Sequence, residues 1–195
     1  MKKSIPLLFL AGSLSVQLSL AQVPRPDRAP SGPPLTISVF SESISLPTLA
    51  HLQKGGIGIK VGTELYYRNR PGSQTFQSIN LGYYHHPGVQ SGLFASTEVG
   101  YRKYFGAVYA EASLGMGTLL LHPVAPSYER SSPDFPKAAA YQFKLMPSAR
   151  LGAGYRFRNR TSVFTRYELF GEMPFSQILL PHQALHVGAR VPFLN

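Results

Sequence analysis

Charged residues of both signs recur at alternating positions within otherwise apolar segments of this 195-residue chain. Alternate positions of an extended strand share one face, so these side chains would gather on one surface of a sheet. Arginine, lysine and glutamate held away from water pair with one another, because an unpaired buried charge is costly. The pattern therefore predicts a network of ion pairs. Its members are Lys60, Glu64, Glu98, Arg102, Glu111, Lys144, Arg150, Arg166, Glu168 and Arg190, with Arg68, Arg156 and Glu172 on the same face.

Histidines form the second candidate group. His51, His86, His122 and His182 fall at or near the four longer connections between the predicted strands. Imidazole is a common ligand of metal ions and of haem iron, so convergence of these side chains would create a binding site. The alternative is that histidine is simply tolerated at such positions and that the four residues do not meet.

The sequence contains no familiar catalytic motif. It has no Gly-rich phosphate loop, no HExxH and no GxSxG nucleophile turn. His186, Ser176 and Glu172 are the nearest histidine, serine and acid in sequence, but their spacing matches no motif. The chain also lacks cysteine, which excludes disulfides, thiolate metal sites and a cysteine nucleophile. We expect neither an enzyme nor a bound cofactor.

The segments that carry these residues alternate apolar and polar side chains with a period of two. Such alternation predicts β-strands, and no sustained helical period competes with it. Seven segments are clear, and Leu35 to Ser45 is an eighth candidate. With eight strands, the short turns around Pro71, Gly106 and Asn159 all lie at one end. The longer connections then share the other end: Pro47 to Gly55, His86 to Ser91, His122 to Ala140 and Pro174 to Gln183.

The N-terminal region has the layout of an export signal followed by a linker. Lys2 and Lys3 precede a mostly apolar stretch that ends at the small residue Ala21, as in a secretory signal peptide. Residues 22–34 are dense in proline and predict an extended linker. We therefore divide the chain into a signal peptide (1–21), a Pro-rich linker (22–34) and one all-β domain (35–195).

The composition of the polar face indicates which side of the sheet faces lipid. Charged residues make up only 14% of the chain, against roughly 25% in a typical soluble domain. Arginine, glutamate and glycine together suit a narrow lumen, since about eight strands leave room only for side chains. The sequence thus predicts a closed antiparallel transmembrane β-barrel of about eight strands with a polar, charged lumen. A soluble barrel with an apolar interior is the alternative.

The C-terminal residues His186-Val187-Gly188-Ala189-Arg190-Val191-Pro192-Phe193 resemble the terminal-strand signal that the outer-membrane barrel assembly machinery recognises. In layout, the chain resembles small bacterial outer-membrane barrels of the OmpA, OmpX and OmpW type. Residues Gly55 to Glu64 are also similar to a strand of uncharacterised outer-membrane barrel proteins. The resemblance implies an outer-membrane location, insertion by the assembly machinery and contact with outer-membrane lipids. It implies no activity.

For function, the sequence predicts a structural role, or binding of an extracellular ligand through the outer loops. A lumen with more arginine than glutamate also leaves open a narrow pore. The pattern is further compatible with a soluble periplasmic barrel that binds an apolar ligand, and with a lipid-modifying enzyme. Nucleic acid is not an expected partner of an exported protein. Basic residues near the short turns are expected to contact anionic headgroups: Arg68, Arg70, Arg102, Lys103, Arg156, Arg158 and Arg160.

Processing of the N-terminus tests the predicted export signal. The mature protein in the cell envelope should begin near Gln22, and Ala21→Arg should slow its processing, because the small residue before the cleavage site is lost. N-terminal sequencing and intact mass measurement would report both forms. An envelope protein that retains Lys2 and Lys3 would contradict the prediction.

Overall fold

The computed structural model describes residues 32–44, 55–123, 141–175 and 178–192. These ranges contain eight β-strands. The strands are β1 (Leu35–Ser43), β2 (Gly56–Arg70), β3 (Ser73–His86), β4 (Gln90–Phe105), β5 (Val108–Pro123), β6 (Gln142–Arg156), β7 (Ser162–Phe175) and β8 (Ile178–Val191). No helix within the described ranges is long and apolar enough to cross a membrane. The signal peptide and most of the Pro-rich linker lie outside the described residues and stay predictions.

The eight strands close into a barrel. Each strand pairs antiparallel with its neighbour in sequence, and β1 pairs with β8 from Leu35 opposite Val191 to Ser43 opposite Gln183. Closure gives every strand two neighbours and leaves no open sheet edge. The predicted eight-stranded barrel is therefore confirmed, and the eighth candidate strand, expected at Leu35 to Ser45, ends at Ser43.

The connections alternate between two ends of the barrel. The short-turn end carries residues 71–72, 106–107 and 157–161, as predicted. At the opposite end, here called the long-loop end, two connections are shorter than predicted. Residues 87–89 alone join β3 to β4, with Gly88 at φ +76°, and residues 176–177 separate β7 from β8. The prediction was wrong there because the strands continue into segments that had been assigned to loops, through His86 and Gln90 in β3 and β4 and through the mostly apolar segments before Phe175 and after Ile178 in β7 and β8.

The outer and inner surfaces have opposite chemistry. Large apolar side chains cover the outside, and Leu114 and Leu151 are 71% and 65% exposed. Aromatic residues form two outer bands. Tyr67, Tyr101, Phe105, Tyr155 and Phe157 lie toward the short-turn end, whereas Tyr83, Tyr141 and Phe143 lie toward the long-loop end. This arrangement is typical of a barrel that crosses lipid, with aromatic girdles at both interfaces.

Pro147 was expected at a bulge or above the membrane, and the strand pairing shows no bulge there. It lies within β6, opposite Met116 of β5, and that pairing continues without a register shift. On the other side, the pairing of β6 with β7 is interrupted between Leu145 and Ser148. Proline has no amide hydrogen, so a gap in the ladder at this point accommodates its missing donor.

Glycine and aromatic residues fill the lumen as cross-strand pairs. In six places an inward-facing glycine lies directly opposite an inward-facing aromatic residue, and the ring covers the space that a Cβ would need. The pairs are Gly58 with Phe40, Gly82 with Phe94, Gly92 with Tyr84, Gly100 with Phe76, Gly154 with Tyr109 and Gly188 with Phe164. Glycine therefore serves here to admit a large ring into a narrow interior.

Replacing Gly82 by alanine tests this packing. A Cβ at residue 82 would overlap the ring of Phe94, so Gly82→Ala should destabilise the barrel by about 1–3 kcal/mol. Because the chain lacks tryptophan, the folded fraction is best measured from the folded and unfolded bands on semi-native gels along a urea series. The matched control is Gly72→Ala, since no atom lies within 4 Å of a Cβ at that turn position. Equal urea midpoints for the two variants would contradict the assigned packing.

Candidate functional site in the barrel lumen

A lower group of ion pairs is centred on Glu64. Arg102 donates to both of its carboxylate oxygens, at 2.8 Å and 3.0 Å. Nη1 of Arg190 lies 3.0 Å from Oε2 of Glu64, and Nη2 of Arg166 lies 3.5 Å from Oε1. Glu111 accepts from Arg102 at 2.7 Å and also binds Arg166. Three arginines and two glutamates from β2, β4, β5, β7 and β8 thus meet in the lumen, all of them buried.

A middle group lies above the lower one, toward the long-loop end. Nζ of Lys60 is 2.9 Å from Oε1 of Glu98 and 2.8 Å from Oε2 of Glu168. Nη1 of Arg150 lies 2.7 Å from the other oxygen of Glu98. Nε2 of His186 is 3.1 Å from Oε2 of Glu168. The middle group therefore joins β2, β4, β6, β7 and β8 through buried charges.

A histidine group occupies the lumen nearest the long-loop end. Nδ1 of His86 is 3.0 Å from Oε2 of Glu42, and Nδ1 of His182 is 2.7 Å from Oε1 of the same carboxylate. Glu172 lies 3.7 Å from Nε2 of His182 and 3.8 Å from Nζ of Lys144. The histidine group connects the ends of β1, β3, β6, β7 and β8.

Apolar and aromatic side chains pack against these charges at both ends of the lumen. The layer toward the long-loop end consists of Phe40, Tyr84, Phe94, Leu119, Leu121, Met146, Phe170 and Ala184. The layer toward the short-turn end consists of Tyr104, Tyr109 and Phe164. There the guanidinium of Arg156 lies 4.3 Å from the ring centre of Tyr104. The described part of the lumen is therefore filled by the protein's own side chains.

Acidic and basic residues are distributed differently over the barrel. All six acids of the described ranges are buried in the lumen: Glu42, Glu64, Glu98, Glu111, Glu168 and Glu172. The exposed bases at the short-turn end are Arg68, Arg70, Lys103, Arg158 and Arg160. Arg68 was predicted on the lumenal face, but it is exposed beside an irregularity in the pairing of β2 and β3. Arg102 and Arg156 were predicted for the basic rim, but they lie on the inward faces of β4 and β6.

The nearest approach to a catalytic arrangement involves residues other than those the sequence suggested. Ser176 lies outside the described residues, and Glu172 contacts His182 rather than His186. His186 instead lies between Ser38 and Glu168, with Nδ1 3.5 Å from Oγ of Ser38. A serine nucleophile requires access to its substrate. This trio is buried beneath the apolar layer, so its geometry fits a structural hydrogen-bond chain.

The structure brings together only two of the four candidate metal-binding histidines within the described residues. His86 and His182 share Glu42, whereas His122 is on the outer surface, 5.1 Å from the ring of Tyr141. His51 lies outside the described residues. Within the ranges that the structure describes, no group of three or more histidine, cysteine, aspartate or glutamate residues could hold a metal ion.

Comparison with known proteins supports the fold. No protein-family model matches the chain, and no curated protein matches it by sequence. The structure is similar to Neisserial surface protein A (NspA), with 11% identity, a TM-score of 0.60 and coverage of 85% of this chain and 100% of that one. It is also similar to the outer membrane enzyme PagL, with 12% identity, a TM-score of 0.52 and coverage of 82% and 99%. At such identities the likeness shows the fold alone, that of small bacterial outer-membrane barrels.

Sequence reasoning missed the two apolar layers of the lumen. Their aromatic members occupy positions that alternation assigns to the polar face, so they were not recognised as a group. One feature of the sequence could have identified them: in the six pairs described above, each inward-facing aromatic residue lies opposite a glycine of the adjacent strand. Recognising it requires the strand register, which the pattern of a single strand does not contain.

Substitution of Glu64 tests whether the lower group of ion pairs stabilises the barrel. Glu64→Gln keeps the shape but removes the charge that balances Arg102 and Arg190, so we expect a loss of about 3–5 kcal/mol in the free energy of unfolding. Urea unfolding in lipid vesicles, followed by semi-native electrophoresis, would measure it. Arg70→Gln, at an exposed position, is the control and should change stability by less than about 0.5 kcal/mol.

A double-mutant cycle separates ion pairing from general damage. If Glu64 and Arg190 are coupled, the Glu64→Gln/Arg190→Gln variant should lose less stability than the two single variants lose together. Strict additivity would show that this ion pair contributes nothing to the barrel.

Proposed function

We propose that this protein is an outer-membrane barrel with a sealed lumen, which serves as a rigid anchor for a binding surface at its long-loop end. The observation that carries the proposal is the packing of the lumen. The lower and middle groups of ion pairs lie between two apolar layers, and the lumenal side chains of these layers are buried. A lumen of this kind leaves the outer surface and the loops as the parts that can meet other molecules.

Charge balance argues against a role as an anion pore. Five buried bases, Lys60, Arg102, Arg150, Arg166 and Arg190, and two half-buried ones, Lys144 and Arg156, accompany the six buried acids. An excess of lumenal arginine was the reason to consider an anion-selective pore, and the described lumen has no such excess. Ion pairs with hydrogen-bond distances also leave few polar groups to replace the hydration shell of a passing ion.

The long-loop end is the best-placed binding surface. The two longest connections, residues 44–55 and 124–141, both start and end there. The second contains Tyr128, Glu129, Arg130 and Phe135, and tyrosine and arginine are enriched at interfaces. These four residues lie outside the described ranges, in a connection whose two ends are fixed at the same end of the barrel by β5 and β6. Loops held by a rigid scaffold commonly carry binding functions.

A soluble ligand carrier and a lipid-modifying enzyme fit the structure less well. A soluble barrel for an apolar ligand requires an apolar interior, whereas this interior holds three groups of charges beneath an apolar outer surface. A lipid-modifying enzyme requires a reachable nucleophile, and the Ser38–His186–Glu168 chain is buried. We therefore propose a binding or structural role without catalysis.

Electrophoresis of the outer-membrane fraction tests the location and the barrel together. A closed barrel resists detergent, so the unheated sample should migrate faster than the boiled sample. Protein found in the soluble periplasm, with no shift on heating, would contradict the proposal and make ligand binding in a soluble barrel the leading function.

Planar-bilayer recording on the same preparation tests whether the lumen is closed to ions. The wild-type barrel should produce no stepwise conductance, because the ion pairs and apolar layers fill the described lumen. Reproducible steps from a heat-modifiable sample would contradict the sealed lumen and leave the outer-membrane location intact.

A further inference from the structure

A groove runs along the outer surface of the barrel across β4, β5, β6 and β7. Its volume is about 680 Å³, and its lining is almost entirely apolar. Ala112 and Ala149 supply small side chains at its floor, whereas Tyr101, Leu151 and Tyr167 are larger residues beside it. Register explains the shape, because Tyr101, Ala112, Leu151 and Tyr167 form one outward-facing row across the four strands.

The row below the groove, toward the short-turn end, contains small residues and a base. Lys103 lies opposite Ala110, and Ala110 lies opposite Ala153. Lys103 is exposed and shares the outward face of β4 with Tyr101. Two residues along a strand span about 7 Å, so Lys103 lies one outward-facing row beyond Tyr101, on the short-turn side of the groove. An apolar groove therefore leads to a positive charge near the rim.

The distribution of charge on the outer surface indicates which class of ligand the groove would bind. Among the described residues every acid is inside the barrel, so no carboxylate on the outer surface competes for Lys103. The other exposed bases, including Arg158 and Arg160 in the turn after β6, surround the same rim. A molecule that complements this surface has an apolar chain about as wide as the groove and a negatively charged head at one end.

We propose that the groove binds one anionic phospholipid, with an acyl chain over Ala112 and Ala149 and the phosphate at Lys103. This inference rests on the proposed outer-membrane location. It goes further because it names a defined lipid site rather than a general lipid-facing surface. In a bilayer, packing against the groove adds little selectivity, since any lipid chain is equally apolar. The selectivity therefore comes from the cation, at about fivefold for one charge at the membrane surface.

Native mass spectrometry of the full barrel provides the test. The protein is purified in detergent and mixed with equal amounts of phosphatidylglycerol and phosphatidylcholine with identical acyl chains. The wild type should retain one phosphatidylglycerol, preferred about fivefold or more over phosphatidylcholine. Lys103→Gln should remove most of this preference, and Ala112→Phe should remove retention of both lipids because the ring fills the groove.

Two controls separate the site from general effects. Arg70→Gln removes an exposed base from a different hairpin, and Ala95→Phe enlarges an exposed alanine outside the groove. Both should leave the lipid preference unchanged. If Arg70→Gln reduces the preference as much as Lys103→Gln does, the rim acts as a diffuse charge and the defined site is overturned.

The remaining outcomes also decide the question. Equal retention of the two lipids by the wild type, an unchanged preference in Lys103→Gln, or an unchanged retention in Ala112→Phe would each overturn the proposal. A dimer that Ala112→Phe abolishes would show that a second copy of the chain occupies the groove instead. The heat-dependent shift is recorded for every sample. A sample that shifts but shows no preference overturns only the lipid site, whereas the absence of a shift in the wild type overturns the membrane barrel itself.

Discussion

A carboxylate inside an eight-stranded barrel has little water to solvate it, so it must meet a cation that another strand supplies. Glu64 on β2 meets this requirement through arginines on β4, β7 and β8. Glu98 does so through Lys60 on β2 and Arg150 on β6. The pairs therefore link strands that share no ladder. A one-residue slip of any of these strands would turn its charge toward lipid, so the ion pairs also specify the register.

The same narrow space has to be filled without voids, and the chain does this in two ways. The lower and middle groups of charged side chains occupy the middle of the lumen, and aromatic rings laid over glycines pack on either side of them. The two solutions meet where the guanidinium of Arg102 lies 4.4 Å from the ring centre of Phe76 and 5.2 Å from that of Tyr109. In such cation–π contacts the ring face attracts the cation. The rings can therefore pack against the ion pairs and still give the guanidinium group a favourable interaction.

Placing the acids inside determines the character of the outside. Since the described acids are used to balance lumenal bases, the outer surface combines an apolar belt with bases at the short-turn end. Such a surface suits lipid with anionic headgroups at that rim. The ion-paired lumen and the chemistry of the outer surface are thus two results of one distribution of charge. Together they direct the search for function away from the lumen, toward the loops and the lipid-facing groove.

Much of the fold was readable from the sequence, because a strand's alternation is a local property. It predicted seven of the eight strands, the inward direction of residues such as Lys60 and Arg150, and the apolar belt. The eighth strand, β1, was favoured by the lengths of the connections. Ion-pair partners were not readable, since Glu64 and Arg190 are 126 residues apart and only barrel closure brings them together. The shared use of Glu42 by His86 and His182 and the groove beside Lys103 likewise depend on the register between strands. Register is set by packing and ion pairing across the whole barrel, so only the tertiary structure decided these features.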